Sequence, residues 1–213
     1  MPAPAIKICG VTDAAALDAA VAARADYIGL MFHPPSPRHL APPAAAALAQ
    51  RAAGRVKRVG VVVDAGDAEI AEAIAAGRLD ALQLHGGETP ARAAAIKGRF
   101  GLPVWKVLSV AAAADVARAE IYGGAADFVL FDAKTPAGGL PGGLGLAFDW
   151  SLLAGYRGPL PWGLAGGLAP DNVGEALRLT RAPLVDTSSG VESAPGVKDP
   201  AKIAGFCTAA RAA

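Results

Sequence analysis

The segment WGLAGGLAPDNVGEALRLTRAPLVDTSSGV, residues 162–191, decides the fold. Its pattern predicts a short strand, a Gly-Gly turn, a helix from Pro170 to about Leu179, and a second strand before a Ser-Ser-Gly turn. Glycine lets the backbone approach a ligand, and free amides at turns and helix starts attract anions. Two such turns after consecutive parallel strands would converge on one phosphate, as the loops after strands 7 and 8 do in many (β/α)8 barrels. The phosphate-binding residues predicted on this basis are Gly166, Gly167, Ser189 and Gly190.

Short apolar runs recur along the whole chain, and alanine-rich segments with helix-start signals lie between them. The runs occupy residues 6–9, 27–32, 59–63, 81–84, 104–107, 128–131, 162–165 and 184–186. Helix starts are indicated by Thr12-Asp13, Pro42-Pro43, Asp67, Thr89-Pro90 and Asp199-Pro200. Continuous apolar strands that alternate with helices indicate a parallel sheet covered by helices.

Eight such units fit an α/β protein with one domain, a (β/α)8 TIM barrel over residues 1–213. The alternative is an open doubly wound sheet. That fold normally has a Gly-rich phosphate turn after its first strand, whereas here the first strand is followed by CGVT at residues 9–12. The barrel is therefore the favoured architecture.

Charge and cysteine usage exclude several classes of protein. The formal net charge is +1 and no basic run occurs, so neither nucleic acid nor an anionic membrane is expected as a partner. Cys9 and Cys207 lie at opposite ends of the chain, which argues against a disulfide framework and fits a reducing compartment. No apolar run approaches the roughly 18 residues of a membrane span. We expect a cytoplasmic protein that acts on a small molecule.

Catalytic groups of a barrel lie at the carboxyl ends of its strands, which points first to Cys9 and Asp132. Cys9 ends the first strand, and Lys7 supplies a nearby cation that would favour a thiolate, a base or nucleophile. Asp132 ends an apolar strand, where a carboxyl group can hold its proton and act as a general acid. The alternatives are a buried structural cysteine and a helix-capping aspartate.

Further polar side chains follow other strands. Arg38 lies in the Pro-rich segment HPPSPRHL and could hold a carboxylate at two points, the alternative being a solvated surface arginine. Gln83 and His85 close the fourth strand, and Asp186 closes the eighth. The three histidines share no ligand spacing, so no metal site is predicted. The Gly-rich segment at residues 134–150 is expected to form a mobile loop after the sixth strand.

Seven short motifs occur in a family-specific order. They are KICG at residues 7–10, GLMFHPPSPRHL at 29–40, QLHG at 83–86, FDAK at 131–134, FDW at 148–150, LAGGL at 164–168 and DTSSGVES…GVKD at 186–199. Together they resemble the phosphoribosylanthranilate isomerases of tryptophan biosynthesis, and the resemblance covers nearly the whole chain.

The resemblance implies a cofactor-free barrel that converts N-(5-phosphoribosyl)anthranilate into 1-(2-carboxyphenylamino)-1-deoxyribulose 5-phosphate, an Amadori rearrangement. It implies that Cys9 is the general base and Asp132 the general acid. It also implies that Arg38 lies near the anthranilate carboxylate and that Asp186 meets the sugar or its anthranilate side. The full set of expected substrate-binding residues is Lys7, Arg38, Gln83, His85 and Asp186.

Two points stay open within this resemblance. Leu144 stands where the family pattern GGTGxxFDW has threonine, so any polar contact of that threonine is in doubt. Monomers and homodimers both fit the sequence.

Competing hypotheses are other sugar-phosphate barrels and a non-catalytic binding barrel. The histidine-pathway isomerase uses an aspartate where this chain has Cys9. A pentulose-phosphate epimerase needs metal-binding His and Asp at several strand ends. Indole-glycerol-phosphate synthase expects a lysine-rich acid–base set and an additional N-terminal segment. A barrel that only binds phosphate ligands would need neither Cys9 nor Asp132.

Overall fold

The strands close into a barrel. The computed structural model describes residues 3–133 and 148–213. Its barrel strands are β1 Ala5–Cys9, β2 Tyr27–Met31, β3 Lys57–Val62, β4 Ala81–Leu84, β5 Val104–Val110, β6 Phe128–Ala133, β7 Trp162–Leu164 and β8 Leu184–Thr187. Each pairs in parallel with the next, and β8 pairs with β1, where Lys7 lies opposite Asp186. All eight coincide with predicted apolar runs, so the predicted fold class is confirmed.

Helices follow most of the strands. They are α1 Ala14–Ala22, α2 Pro42–Ala52, α3 Asp67–Gly77, α4 Pro90–Phe100, α5 Ala113–Ala117, α6 Val173–Thr180 and α7 Pro200–Arg211. Three predicted caps are confirmed, because the side chains of Asp13, Thr89 and Asp199 accept hydrogen bonds from amides in the first turns of α1, α4 and α7. None of the described helices is long and apolar enough to cross a membrane.

Two predicted helix starts were wrong. The helix expected from Pro170 begins only at Val173, because the side chain of Asn172 binds the preceding turn: its Oδ1 accepts from the amide of Ala169 and its Nδ2 donates to the carbonyl of Gly167. The cap expected at Asp67 is the first residue of α3 itself. The sequence analysis also missed an antiparallel hairpin after β8, formed by β9 Glu192–Ala194 and β10 Val197–Lys198.

Alternation along the strands separates two layers of core. Side chains such as Ile6, Ile8 and Phe131 pack outward in the main apolar core beneath the helices. A second cluster, which includes Trp105, Val107 and Leu130, fills the barrel interior. A residue two positions beyond a member of this second cluster, such as Asp132 beyond Leu130, is in phase with it and therefore faces the barrel mouth.

Cys207 packs in the core on α7, as predicted, and is 1% exposed. Burial raises the pKa of its thiol from 9.0 to about 11. Between these values the unfolded chain loses this proton and the native protein keeps it, so the free energy of unfolding falls as pH rises. We expect a loss on the order of 2 kcal/mol from this residue across the interval.

Urea unfolding of wild type and a Cys207→Ala variant at pH 8 and pH 10.5 measures this loss. The stability difference between the two proteins should shrink at the higher pH, because only the wild type has the buried thiol. An equal decline in both proteins would contradict the prediction.

Candidate active site

Cys9 and Asp132 lie at the mouth of the barrel on two strands that are not neighbours. Cys9 ends β1 and Asp132 lies near the end of β6, with β7 and β8 between them on the shorter path around the barrel. Both are buried, each with 7% of its surface exposed. A ligand in the mouth would therefore have a thiol on one side and a carboxyl group on the other.

Lys7 joins Cys9 to Asp186 beneath the mouth. Its ammonium group is completely buried and donates a hydrogen bond of 2.8 Å to Oδ2 of Asp186. The carboxylate of Asp186 and the side chain of Cys9 together raise the pKa of Lys7, against the opposing effect of its burial. Lys7 is therefore a fixed cation. The other oxygen of Asp186, Oδ1, is buried and accepts no hydrogen bond from the described residues.

Two opposing effects act on the pKa of Cys9. Burial raises the pKa of its thiol, and the cations of Lys7 and Lys198 lower it by less. The expected cation is present beside Cys9 and lowers the pKa of its thiol, as predicted, but burial outweighs it. A sequence does not show how deeply the sulfur is buried. Cys9 is thus a thiol whose ionised form is stabilised only in part.

His85 and Gln83 lie beside Asp132. Nε2 of His85 is 3.3 Å from Oδ2 of Asp132, and Nδ1 is 3.2 Å from Nε2 of Gln83. Oδ1 of Asp132 accepts a hydrogen bond of 2.8 Å from the amide of Ala133. Oε1 of Gln83 is buried without a hydrogen-bond partner among the described residues. These contacts fix the plane of the Asp132 carboxyl group and leave a buried acceptor on Gln83.

Arg38 is buried beside Cys9 rather than solvated. Its Cδ lies 2.4 Å from where a side chain on Gly10, the neighbour of Cys9, would begin. Its Nε and Nη2 bind the two carboxylate oxygens of Glu192, each at 2.7 Å. The sequence predicted a two-point contact with a carboxylate, and in the structure Glu192 occupies one edge of the guanidinium in that manner.

Glu192 and Lys198 are functional candidates that the sequence analysis missed. Lys198 donates to Oε1 of Glu192 at 2.6 Å and to the carbonyl of Ser188 at 3.0 Å, so the hairpin ties Arg38 to the turn after β8. The signal was present in the motif GVES…GVKD, in which Glu192 and Lys198 are buried. Strands of three and two residues show no periodicity that would have predicted the hairpin.

The turns after β7 and β8 touch each other. Gly166 and Gly167 have φ angles of +85° and +66°, which turn the chain sharply after β7. The hydroxyl of Thr187 donates to the carbonyl of Leu168 at 2.6 Å. A Cβ on Gly190 would lie 2.0 Å from that same oxygen. The four predicted phosphate-binding residues, including Ser189 next to Gly190, are therefore brought together at one side of the mouth.

Other predicted features lie elsewhere. His33 and His39 belong to the loop between β2 and α2, and Met31 forms a bridge with His39. Residues 3–133 and 148–213 contain no group of three or more His, Cys, Asp or Glu side chains that could hold a metal ion. Most of the Gly-rich segment, including Leu144, lies outside the described residues.

Comparison with known proteins identifies relatives over the whole barrel. The sequence model of the family described as N-(5'-phosphoribosyl)anthranilate (PRA) isomerase matches residues 6–209. The N-(5'-phosphoribosyl)anthranilate isomerase of Paramagnetospirillum magneticum is 56% identical over 207 residues, which cover 97% of this chain and 96% of the relative.

Two solved structures are also similar. One shows monomers generated from the dimeric phosphoribosylanthranilate isomerase of Thermotoga maritima, with a TM-score of 0.83, 34% identity, and coverage of 99% of this chain and 100% of the other. The second is a phosphoribosylanthranilate isomerase in complex with reduced 1-(o-carboxyphenylamino)-1-deoxyribulose 5-phosphate. It has a TM-score of 0.84, 32% identity, and the same coverage of the two chains, 99% and 100%.

Proposed function

This chain belongs to the N-(5'-phosphoribosyl)anthranilate isomerase family, and we propose that Cys9 is the general base and Asp132 the general acid of its reaction. The protein converts N-(5-phosphoribosyl)anthranilate into 1-(2-carboxyphenylamino)-1-deoxyribulose 5-phosphate in tryptophan biosynthesis. One observation carries the assignment: the two groups lie at the mouth ends of β1 and β6, on either side of the paired glycine turns that follow β7 and β8. Turnover by Cys9→Ser and Asp132→Asn variants tests it.

The reaction begins with opening of the ribose ring. Asp132 gives its proton to the ring oxygen while the lone pair of the anthranilate nitrogen forms the C1–N double bond, which breaks the C1–O bond and leaves an iminium ion. His85, 3.3 Å from the other carboxyl oxygen, accommodates the charge that Asp132 acquires when it loses its proton. The backbone amide of Ala133 supports the same carboxylate.

The second step removes the proton on C2. The thiolate of Cys9 takes this proton, the electrons of the C–H bond form the C1–C2 double bond, and the π electrons of the C1–N double bond return to nitrogen. The resulting enolamine then tautomerises to the ketone. Lys7 and Lys198 stabilise the thiolate, since both lower the pKa of Cys9. Burial opposes them and keeps the base strong once it is formed.

Substrate binding is assigned to the polar groups around the two catalytic residues. Asp186 Oδ1 and Gln83 Oε1 are buried acceptors suited to hydroxyl or amine donors of the substrate, and Lys7 and His85 hold these two side chains in place. Arg38 is assigned to the anthranilate carboxylate. Glu192 binds the Nε–Nη2 edge of this guanidinium and so fixes its plane at the mouth.

The turns after β7 and β8 are proposed to hold the 5-phosphate through Gly166, Gly167, Ser189 and Gly190. An alanine at position 190 would place its Cβ 2.0 Å from the carbonyl oxygen of Leu168 and force the turns apart. Charge-assisted hydrogen bonds are worth roughly 1.5–3 kcal/mol each, so we expect Gly190→Ala to raise KM by about 10- to 100-fold with a smaller effect on kcat.

Steady-state kinetics of Gly190→Ala and Gly98→Ala test this assignment. Gly98 lies on α4, where an added Cβ would meet no atom within 4 Å, so its substitution controls for the change of residue type and should leave KM unaltered. Inhibition by inorganic phosphate should weaken in parallel with KM in the Gly190 variant. An unchanged KM for that variant would refute the phosphate assignment.

The setting of the enzyme follows from its reaction. We infer that residues 1–213 form one catalytic domain that works in the cytoplasm, where the substrate is made and free thiols such as Cys9 stay reduced. We infer that the protein binds its phosphorylated substrate and binds neither nucleic acid nor a membrane. The chain acts as a monomer or homodimer, and the Thermotoga maritima relative has been studied in both forms.

A further inference from the structure

A buried ion pair lies behind the active site, on the outer face of the barrel. Lys106 on β5 and Glu88 in the turn after β4 are 2.8 Å apart, and their side chains are 2% and 3% exposed. The neighbours of Lys106 on the strand, Trp105 and Val107, face the barrel interior, so Lys106 faces the helical layer. The reaction described above uses neither group.

The pair is bound to the backbone on both sides of His85. The ammonium group of Lys106 donates to the carbonyl of Leu84 at 3.2 Å and to the carbonyl of Gly86 at 2.7 Å. These are the residues immediately before and after His85 in the chain. One buried cation therefore holds the Leu84–His85 peptide unit directly before the histidine and the Gly86–Gly87 unit one residue beyond it.

Glu88 also binds the backbone of the turn after β4. Its Oε2 accepts from the amide of Gly86 at 2.9 Å, and its Oε1 accepts from the amide of Asp64 at 2.9 Å. Its own carbonyl accepts from the hydroxyl of Tyr122 at 2.8 Å. The carboxylate thus links the turn after β4 to the turn after β3. The hydroxyl of Tyr122 holds the backbone of Glu88 in addition.

We propose that Lys106 and Glu88 are positioning residues that hold the imidazole of His85 against the carboxyl group of Asp132. The proposal rests on the assignment of Asp132 as general acid. A buried ion pair is weak evidence of stabilisation, because its desolvation offsets much of its attraction. Its value here is geometric: a displacement of about 1 Å at a catalytic contact can cost on the order of a hundredfold in rate.

A double-mutant cycle separates positioning from mere structural support. Lys106→Met should lower kcat by about 10- to 100-fold with KM changed less than about threefold, because the contact of His85 with Asp132 serves the chemical step. In a His85→Asn background, the same Lys106 substitution should lower kcat by less than about twofold, because the side chain that it positions is already absent. Glu88→Gln, which keeps an oxygen acceptor, is measured alone and with His85→Asn in the same way. It tests the positioning role if Lys106→Met does not fold.

The control is a second ion pair on the adjacent strands. Arg58 and Asp80, 2.9 Å apart, lie at the amino ends of β3 and β4, away from the mouth. Asp80→Asn should lower the melting temperature and leave kcat unaltered. If the kcat losses from Lys106→Met or Glu88→Gln multiply fully with that of His85→Asn, the positioning role is wrong. If instead Asp132→Asn retains wild-type turnover, the acid assignment fails, and the cycle still measures whether Lys106 acts through His85.

Discussion

Replacing Cys9 by serine is expected to lower kcat by about 10²- to 10⁴-fold, the usual contribution of a general base, with KM changed less than about threefold. A serine hydroxyl fits the space of the thiol, which is buried beside Lys7, and the hydroxyl of Ser188 can still donate to the backbone carbonyl at position 9. It does not ionise in the accessible pH range, so no base remains to take the C2 proton. The loss of substrate fluorescence measures the rate, and Cys207→Ala, which changes the other buried cysteine, should retain full turnover.

The pH dependence gives a second readout of the same residue. Because burial raises the pKa of Cys9 above its ordinary value of 9.0, the thiolate fraction is small at neutral pH and grows as pH rises. Wild-type kcat/KM should therefore increase towards alkaline pH, and the residual activity of Cys9→Ser should lack this increase. Turnover by Cys9→Ser close to the wild-type rate would show that the base is another group.

Replacing Asp132 by asparagine is expected to lower kcat by a similar factor, about 10²- to 10⁴-fold. Asparagine has nearly the same shape and can keep the hydrogen bond from the amide of Ala133, so the mouth should remain intact. It has no carboxyl proton to give to the ring oxygen, so water must supply that proton and the ring opens more slowly. Kinetics with the same fluorescent substrate measure the effect.

Asp127→Asn is the matched control for Asp132→Asn. Asp127 precedes β6 at the opposite end of the same strand, where it accepts from the amide of Val104 and pairs with Lys97. Its substitution should reduce stability and leave turnover unchanged. The product analogue, reduced 1-(o-carboxyphenylamino)-1-deoxyribulose 5-phosphate, should still bind to Asp132→Asn in calorimetry. Wild-type turnover by that variant would remove Asp132 from the mechanism.

The barrel could be predicted because its strands are buried on both faces. Such strands appear as continuous apolar runs, and all eight are found where the runs occur. Cys9, Asp132 and Asp186 could be singled out by one rule, since each is a polar residue at the carboxyl end of an apolar strand. The roles of Cys9 and Asp132 were argued from the residues and made specific by the resemblance to a family, the role of Asp186 came from the resemblance alone, and all three stay predictions.

Features that depend on long-range contacts could not be predicted. Glu192 binds Arg38 from 154 positions away, and the partner of Lys106 lies in a turn whose shape has no signature in the sequence. The raised pKa of Cys9 depends on the depth of its burial rather than on the presence of Lys7. The start of α6 was placed too early because Asn172 binds the turn that Pro170 enters.

The most direct test of the central claim compares three purified proteins: wild type, Cys9→Ser and Asp132→Asn. Each is assayed with and without chelator on phosphoribosylanthranilate generated in situ. The loss of substrate fluorescence is followed, and the product is identified by chromatography. We expect rapid, chelator-insensitive conversion by the wild type, and rates in both variants that approach spontaneous hydrolysis. Conversion by the wild type no faster than hydrolysis, or variants as active as the wild type, would contradict acid–base isomerisation by Cys9 and Asp132.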